Sequence, residues 1–197
     1  MEFLEAVKKR RSIYGINNQV TISEEKIKQL VSDAVKYSPS AFNSQSSRAV
    51  LLFGEHHLKL WGIVKNTLKA MLTTDAYSQT EGKIDAFAAG YGTVLFFEDL
   101  SVIKDLQEKF ALYKENFPIW AQQSNGMMQF VTWTALENEG LGASLQHYNP
   151  IIDLEVKREW NIPDEWKLIG QMPFGAITAQ PDEKHFAPIE DRFKFFS

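Results

Sequence analysis

"SPSAFNSQSSR", residues 38–48, places a proline, five serines, an asparagine and a glutamine directly ahead of an apolar run. Ser, Asn and Pro are turn formers, so a capped turn accounts for the stretch. The same residues also gather short donors and acceptors at one point, as a ligand-facing loop would. Asn43 and Gln45 each carry both a donor and an acceptor, and the Ser44 hydroxyl serves as either. A heterocycle with alternating carbonyls and ring nitrogens needs that mixture.

Upstream of the loop, Ser23 is placed to cap a helix whose Ile27, Leu30, Val31, Ala34 and Val35 share one side, and Pro39 limits its continuation. Phe3, Leu4 and Val7 form an earlier stripe, followed by Lys8, Lys9, Arg10 and Arg11, which suit a helix C-terminus. Downstream, Ala49–Phe53 reads as a strand before Gly54, and His57–Leu72 has an amphipathic helical pattern. Thr73–Lys83 is polar and is expected to be a mobile surface segment. Gly92–Phe97 reads as a second core strand, and Asp99 caps a helix containing Val102, Ile103, Leu106 and Phe110.

Pro118 opens another region. Met127–Glu139 then gives a long helical pattern with too few charges for a fully wetted helix, so it belongs near the centre of the fold. Ala143–Tyr148 is expected as a short strand and Asp153–Trp160 as a short helix. In "KLIGQMPFGAITA", residues 167–179, Pro173 and Gly175 argue against a continuous central ladder and for a loop, bulge or edge adjustment. The C-terminal DRFKFFS alternates charge with aromatic side chains and is suited to extend over a neighbouring surface. Helices alternate with three or four short strands without a domain boundary or repeat. An α/β or α+β domain spanning residues 1–197 follows.

The chain's 197 residues suffice for one well-packed domain. Fourteen phenylalanines and five tryptophans exceed what one core needs, which leaves some for a subunit interface or a flat ligand pocket. A formal charge of −4 from interspersed residues argues against nucleic acid as the main partner. With no cysteine there is no disulfide, thiol catalysis or thiolate metal site, which fits a reducing compartment. The N-terminus lacks the apolar core of a signal peptide, and no stretch approaches a membrane span. The expectation is a cytoplasmic globular protein.

The four histidines form no metal-binding pattern, and no GxSxG nucleophile elbow occurs. Arg10-Arg11-Ser12 is suited to a phosphate through charge-assisted hydrogen bonds, with Arg48, Arg192 and Lys194 as further cations, although composition alone favours ordinary surface charge. In "GLGAS", residues 140–144, glycine lets backbone approach a planar ligand, or simply ends a helix. It is not the GxGxxG fingerprint of a Rossmann fold.

The ordered combination says more than its parts. Arg10-Arg11-Ser12, then Pro39-Ser40 with Asn43-Ser44-Gln45, Gly140-Leu141-Gly142 after an apolar helix, "IGQMPFG" and late basic residues together resemble the nitroreductase family of flavoproteins across nearly the whole chain. The segment "PSAFNSQSSRAVLLFGEHH" is similar to its compact branch of nitroreductase-like stress proteins. The resemblance implies an α+β fold with a central mixed, mainly antiparallel sheet surrounded by helices, in a domain-crossed homodimer holding two FMN molecules at its interface. By the same resemblance Arg10, Arg11 and Ser12 contact the FMN phosphate and ribityl groups. Asn43, Ser44 and Gln45 meet the flavin and ribityl chain, Gly140, Leu141, Gly142 and Ala143 approach the ring, and Arg192 or Lys194 assists at the phosphate.

Flavin brings its own redox chemistry, so no catalytic side chain is required. The implied cycle has two steps: NADH or NADPH reduces FMN, then a nitroaromatic or quinone-like small molecule accepts the electrons. A flavin-binding sensor or regulatory protein with little turnover is the alternative.

Overall fold

The computed structural model describes residues 2–197, and its sheet is organised around one long strand. That strand, β5 (Trp166–Ile177), pairs antiparallel with β3 (Gly92–Asp99), which pairs antiparallel with β2 (Ser47–Phe53). Two short strands, β1 (Ile16–Asn17) and β4 (Leu141–Ala143), also pair antiparallel with β5 near its C-terminal end. A single parallel bridge joins Ser12 to Ala143. The architecture is the expected α+β one, a sheet flanked by helices on both faces.

Residues 167–177 lie within a central strand rather than a loop, and the irregularity expected of this stretch is present as a bulge. Two adjustments make this possible. The pairing register shifts between Phe96 and Phe97, whose partners are Gly170 and Leu168, so Ile169 is an extra residue in a bulge. Pro173 lacks an N–H, and its backbone groups face the β4 edge: the Pro173 carbonyl accepts from the Ser144 amide at 3.3 Å. One rung is lost there, and Gln146 and Gln171 then exchange both hydrogen bonds, at 2.7 and 2.9 Å. The expected strand at 143–148 is thus a ladder from Leu141 to Gln146 interrupted at the proline.

Of the helices, α1 (Phe3–Lys9), α2 (Glu24–Tyr37), α3 (Gly54–Met71), α5 (Leu100–Lys109) and α7 (Asp153–Trp160) lie close to their expected positions. Ser23 and Asp99 cap α2 and α5 through the Lys26 and Ser101 amides. The polar stretch 73–83 is not a loose segment. It belongs to helix α4 (Thr74–Ala88), capped by Thr73, with Tyr77, Ile84 and Phe87 buried. Lys65 on α3 ties the two helices together through Glu81 and Asp85, at 3.1 and 2.9 Å. Helix α6 (Phe117–Asn138) starts a turn or more earlier than its apolar pattern, with Pro118 in its first turn, where a missing N–H costs nothing.

The sheet's two faces carry separate cores. Leu95, Phe97 and Leu168 pack with Leu60, Trp61 and Val64 of α3, Phe87 of α4 and Val156 of α7. Val94, Phe96, Met172 and Phe174 pack on the other face with Ile27 and Val31 of α2 and Met128 and Leu136 of α6. Beyond β5 the chain runs out as an arm, residues 178–197, on which Phe186, Phe193, Phe195 and Phe196 are all exposed. Among the described residues no helix is long and apolar enough to cross a membrane.

His57 pins α3 to the first core and is 1 % exposed. Its Nε2–H donates to the Ala88 carbonyl at 3.2 Å, and its Nδ1 accepts from Thr93 Oγ1 at 2.8 Å. The Trp61 indole N–H donates to the same hydroxyl at 3.1 Å. Every polar atom is satisfied by a neutral ring, and burial lowers the His57 pKa to about 4. The unfolded chain takes up this proton below about pH 6.5, so between these values it binds more protons than the folded one. Stability should therefore fall as the pH drops through this window, by up to about 3 kcal/mol from this residue. Urea melts of wild type and His57→Gln between pH 7 and 4 should show the slope reduced in the variant.

Candidate functional site

Three of the four groups of suspected residues are held by α6 and the end of β5, but at two separate places. The first is at the C-terminal half of α6. Helix α1 ends at Lys9, its carbonyl end matched by Lys8 and Lys9, and the chain turns at Arg10. The Arg10 guanidinium lies 4.4 Å from the centre of the Trp133 ring. Arg10 is half-buried beside Glu137; burial lowers its pKa, and the carboxylate opposes that shift. Burial likewise raises the Glu137 pKa against the charges of Arg10 and Lys9.

Ser12 bridges to Ala143, and the Ala143 carbonyl accepts from both the Ile13 amide (2.9 Å) and the Trp133 indole (3.1 Å). Arg10, Arg11 and Ser12 are thus brought against Gly140, Leu141, Gly142 and Ala143. Gly140 ends α6 in the left-handed region at φ +81°. Gly142 serves close packing: a Cβ there would lie 2.7 Å from Ile13 Cγ2 and 2.9 Å from Ile177 Cγ1. Arg11 reaches the arm, donating to the Asp182 carbonyl at 2.6 Å.

The polar loop is the second place. Residues Ala41–Asn43 form one 3₁₀ turn, in which Phe42 (φ 57°), Asn43 (φ 50°) and then Gln45 (φ 49°) all adopt left-handed backbone. For a phenylalanine this is strained and needs support from its surroundings. The support is visible. The Phe42 ring sits among Phe110, Tyr113, Phe117 and Trp120, with centroids 4.9 to 6.1 Å away. The Gln45 amide donates to Ser40 Oγ at 3.0 Å, and the Gln45 carbonyl accepts from Arg48. Asn43 and Gln45 remain exposed, and the Gln45 side-chain amide donates to the Asn43 carbonyl at 3.5 Å.

Trp120 and Trp133 are thirteen residues apart on one helix, about 20 Å at 1.5 Å per residue. Within one chain the polar loop and the basic turn therefore do not meet. Arg192 and Lys194 lie on the exposed arm and pair with no acidic group among the described residues. Arg48, a further candidate cation for phosphate, is committed elsewhere. Its guanidinium pairs with Asp99 at 2.9 Å and lies 5.6 Å from the Trp166 ring centre. Trp133, which supports both Arg10 and Ala143, escaped sequence reasoning because an apolar helical stripe does not distinguish its members.

An apolar cleft of ≈ 530 Å³ runs along α6 between these places, lined by Phe3, Leu30, Pro39, Met127 and Val131 among others. The donor set suits FMN, with two guanidinium groups and a hydroxyl for its phosphate and mixed amides for its ring edge, whereas Leu141–Ala143 are buried and only Gly140 of the glycine segment is exposed.

A family model described as the nitroreductase family matches residues 7–176. The chain is 36 % identical over 186 residues to nitroreductase FRM2 of Saccharomyces cerevisiae, covering 93 % of this chain and 92 % of that protein. It is 46 % identical, over the whole of both chains and with a TM-score of 0.92, to the structure of nitroreductase CinD from Lactococcus lactis in complex with chloramphenicol. The same protein in complex with 4-nitrophenol gives 47 % identity over both whole chains and a TM-score of 0.91. The chain belongs to the nitroreductase family of FMN-dependent oxidoreductases. It is an enzyme of that class.

Replacing Gly142 by Ala should force the Ile13 strand away from β4. Overpacking of this kind costs about 1–3 kcal/mol. A chemical melt of Gly142→Ala should show that loss with an unchanged denaturant slope.

Proposed function

We propose that this chain forms a homodimer whose two FMN sites are each shared between protomers. The basic turn and glycine strand of one chain face the polar loop of the other. What carries the proposal is the roughly 20 Å between those groups along α6. A single chain offers two halves of a site, and a two-fold partner can join them. The apolar α6 cleft and the arm with its exposed phenylalanines support the same assembly, since such surface is rarely left to water.

In that arrangement Arg10, Arg11 and Ser12 hold the phosphate and ribityl groups, and Arg192 or Lys194 on the arm adds charge. Of the glycine segment, the exposed Gly140 offers backbone to the ring, with the buried Leu141, Gly142 and Ala143 as the strand behind it. Asn43, Ser44 and Gln45 address its polar edge. Held there, FMN would supply two-step redox chemistry, with NADH or NADPH as the reductant and a nitroaromatic or quinone-like small molecule as the acceptor. The protein's part is orientation, charge and exclusion of water, performed without a catalytic side chain. Chloramphenicol and 4-nitrophenol, the compounds bound in the related CinD structures, both fit the nitroaromatic class. The absence of cysteine fits a cytoplasmic setting.

Purified protein should be yellow or take up added FMN. Anaerobic NADH or NADPH should bleach it, and a quinone should restore the colour. A correctly folded dimer that binds no FMN would overturn the proposal, and a bound flavin that does not bleach would leave a sensor in place of an enzyme. Arg11→Ala should weaken FMN binding by about 1.5–3 kcal/mol, the worth of a charged hydrogen bond, read by fluorescence titration.

A further inference from the structure

Phe42, the residue before Asn43 in the polar loop, holds a left-handed backbone at φ 57°, an outlier for so bulky a side chain. Strain of this kind persists where the surroundings enforce it, and it clusters at ligand clamps. Glycine or asparagine would take the same backbone at less cost, so the position has a use for the ring. That use is not burial. Phe110, Tyr113, Phe117 and Trp120 stand around the ring, yet Phe42 is 51 % exposed, whereas Phe117 of the same cluster is 3 % exposed.

Phe42 and Trp120, with ring planes 21° apart, line a cavity of ≈ 350 Å³ together with Ala41, Gln123, Ser124 and Met127. Its size suits one small ring, and no charged side chain lines it. Ser124 spends its hydroxyl within α6, donating to the Trp120 carbonyl at 2.9 Å. Gln123 is exposed, so its amide is open to a polar substituent.

We propose that Phe42, Trp120 and Gln123 form the subsite for the electron acceptor, and that it selects an uncharged, single-ring nitroaromatic. This rests on the shared-flavin reading and adds to it the residues that choose the acceptor. Nitro groups withdraw electrons from a ring, and such a ring stacks favourably on the electron-rich faces of indole and phenyl groups. The nitro oxygens accept from the Gln123 amide. An acceptor bearing a carboxylate loses water there and finds no cation in return. The loop itself supplies proximity: Asn43 addresses the polar edge of the flavin, and its Cα is about 3.8 Å from that of Phe42. A ring laid on Phe42 is thereby carried to the cofactor.

The test is steady-state kinetics of the FMN-loaded enzyme, with NADH or NADPH as reductant and three acceptors. These are nitrobenzene, a nitrobenzoate, and ferricyanide, an inorganic anion that takes electrons without stacking. Wild type should favour nitrobenzene over the nitrobenzoate by about tenfold in kcat/KM. Phe42→Asn keeps a residue tolerant of left-handed backbone and removes the ring. Its kcat/KM for nitrobenzene relative to ferricyanide should fall about tenfold, and Phe42→Tyr should restore the ratio. An unchanged ratio in Phe42→Asn, whether both rates hold or both fall together, would make Phe42 a fastener of the loop and overturn the subsite. Equal use of nitrobenzene and the nitrobenzoate by wild type would overturn the selection.

If Phe42→Asn does not fold, Gln123→Ala on the exposed side of α6 serves instead. The same ratio should fall about threefold, the worth of one hydrogen bond, and an unchanged ratio would refute the subsite. If wild type binds no FMN, the shared-flavin reading fails and direct binding decides the rest. Nitrobenzene should then quench the tryptophan fluorescence of wild type saturably, with about tenfold weaker affinity in Phe42→Asn. Equal quenching of the two proteins would overturn the subsite as well.

Discussion

Residues 171–177 of β5 must satisfy hydrogen-bonding partners on both edges at once, and the site depends on how they do so. On one edge Phe174 accepts from Tyr91, and farther on Gly15 accepts from Thr178. On the other, Gln171 and Pro173 serve Gln146 and Ser144. Fixing β4 in this way turns the Ala143 carbonyl outward, where Ile13 and Trp133 share it. The basic turn is therefore positioned by backbone hydrogen bonds of the sheet, and Arg10 and Arg11 inherit their places from it. Gly175 fits the same crowding, since a Cβ there would lie 2.3 Å from the Asn17 carbonyl.

Helix α6 couples this centre to the loop while keeping the two apart. Its face toward the sheet supplies Met128 and Leu136 to the core, and Asn125 reaches the end of β3. Its first turns carry the aromatic cluster that seats Phe42, and its last turns carry Trp133. A helix of 22 residues is rigid over this span, so the distance between loop and basic turn is fixed. That rigidity would suit the proposed cofactor site shared between two chains, because neither half-site would need to move to meet the other.

Polar burial is concentrated on β3 and on the helices packed against it. His57, Thr93 and Trp61 close one hydrogen-bonded set with a neutral ring, and Glu98, Asn125 and Gln129 form another beneath the loop. The first is complete and structural. The second leaves Glu98 Oε1 buried without a hydrogen-bond partner.

Much of this was legible along the chain. Apolar spacing and caps located α2, α3, α5 and α7, and two apolar runs located β2 and β3, because local periodicity and a capping side chain act over one or two turns. The ordered polar and glycine segments pointed to the family, and thereby to the residues proposed to hold a flavin. The sequence could not place Thr74–Ala88 as a helix from its polar first half, since the buried Ile84 and Phe87 come late. Nor could it show that Pro173 sits in a central strand, because only the β4 edge can spare that rung. The separation of Asn43 from Arg11, the commitment of Arg48 to Asp99 and the burial of Glu98 are likewise set by contacts between residues distant in sequence. Hydrogen bonds and caps are written locally, whereas which side of a sheet loses a donor, and which carboxyl loses its water, is decided when the layers close.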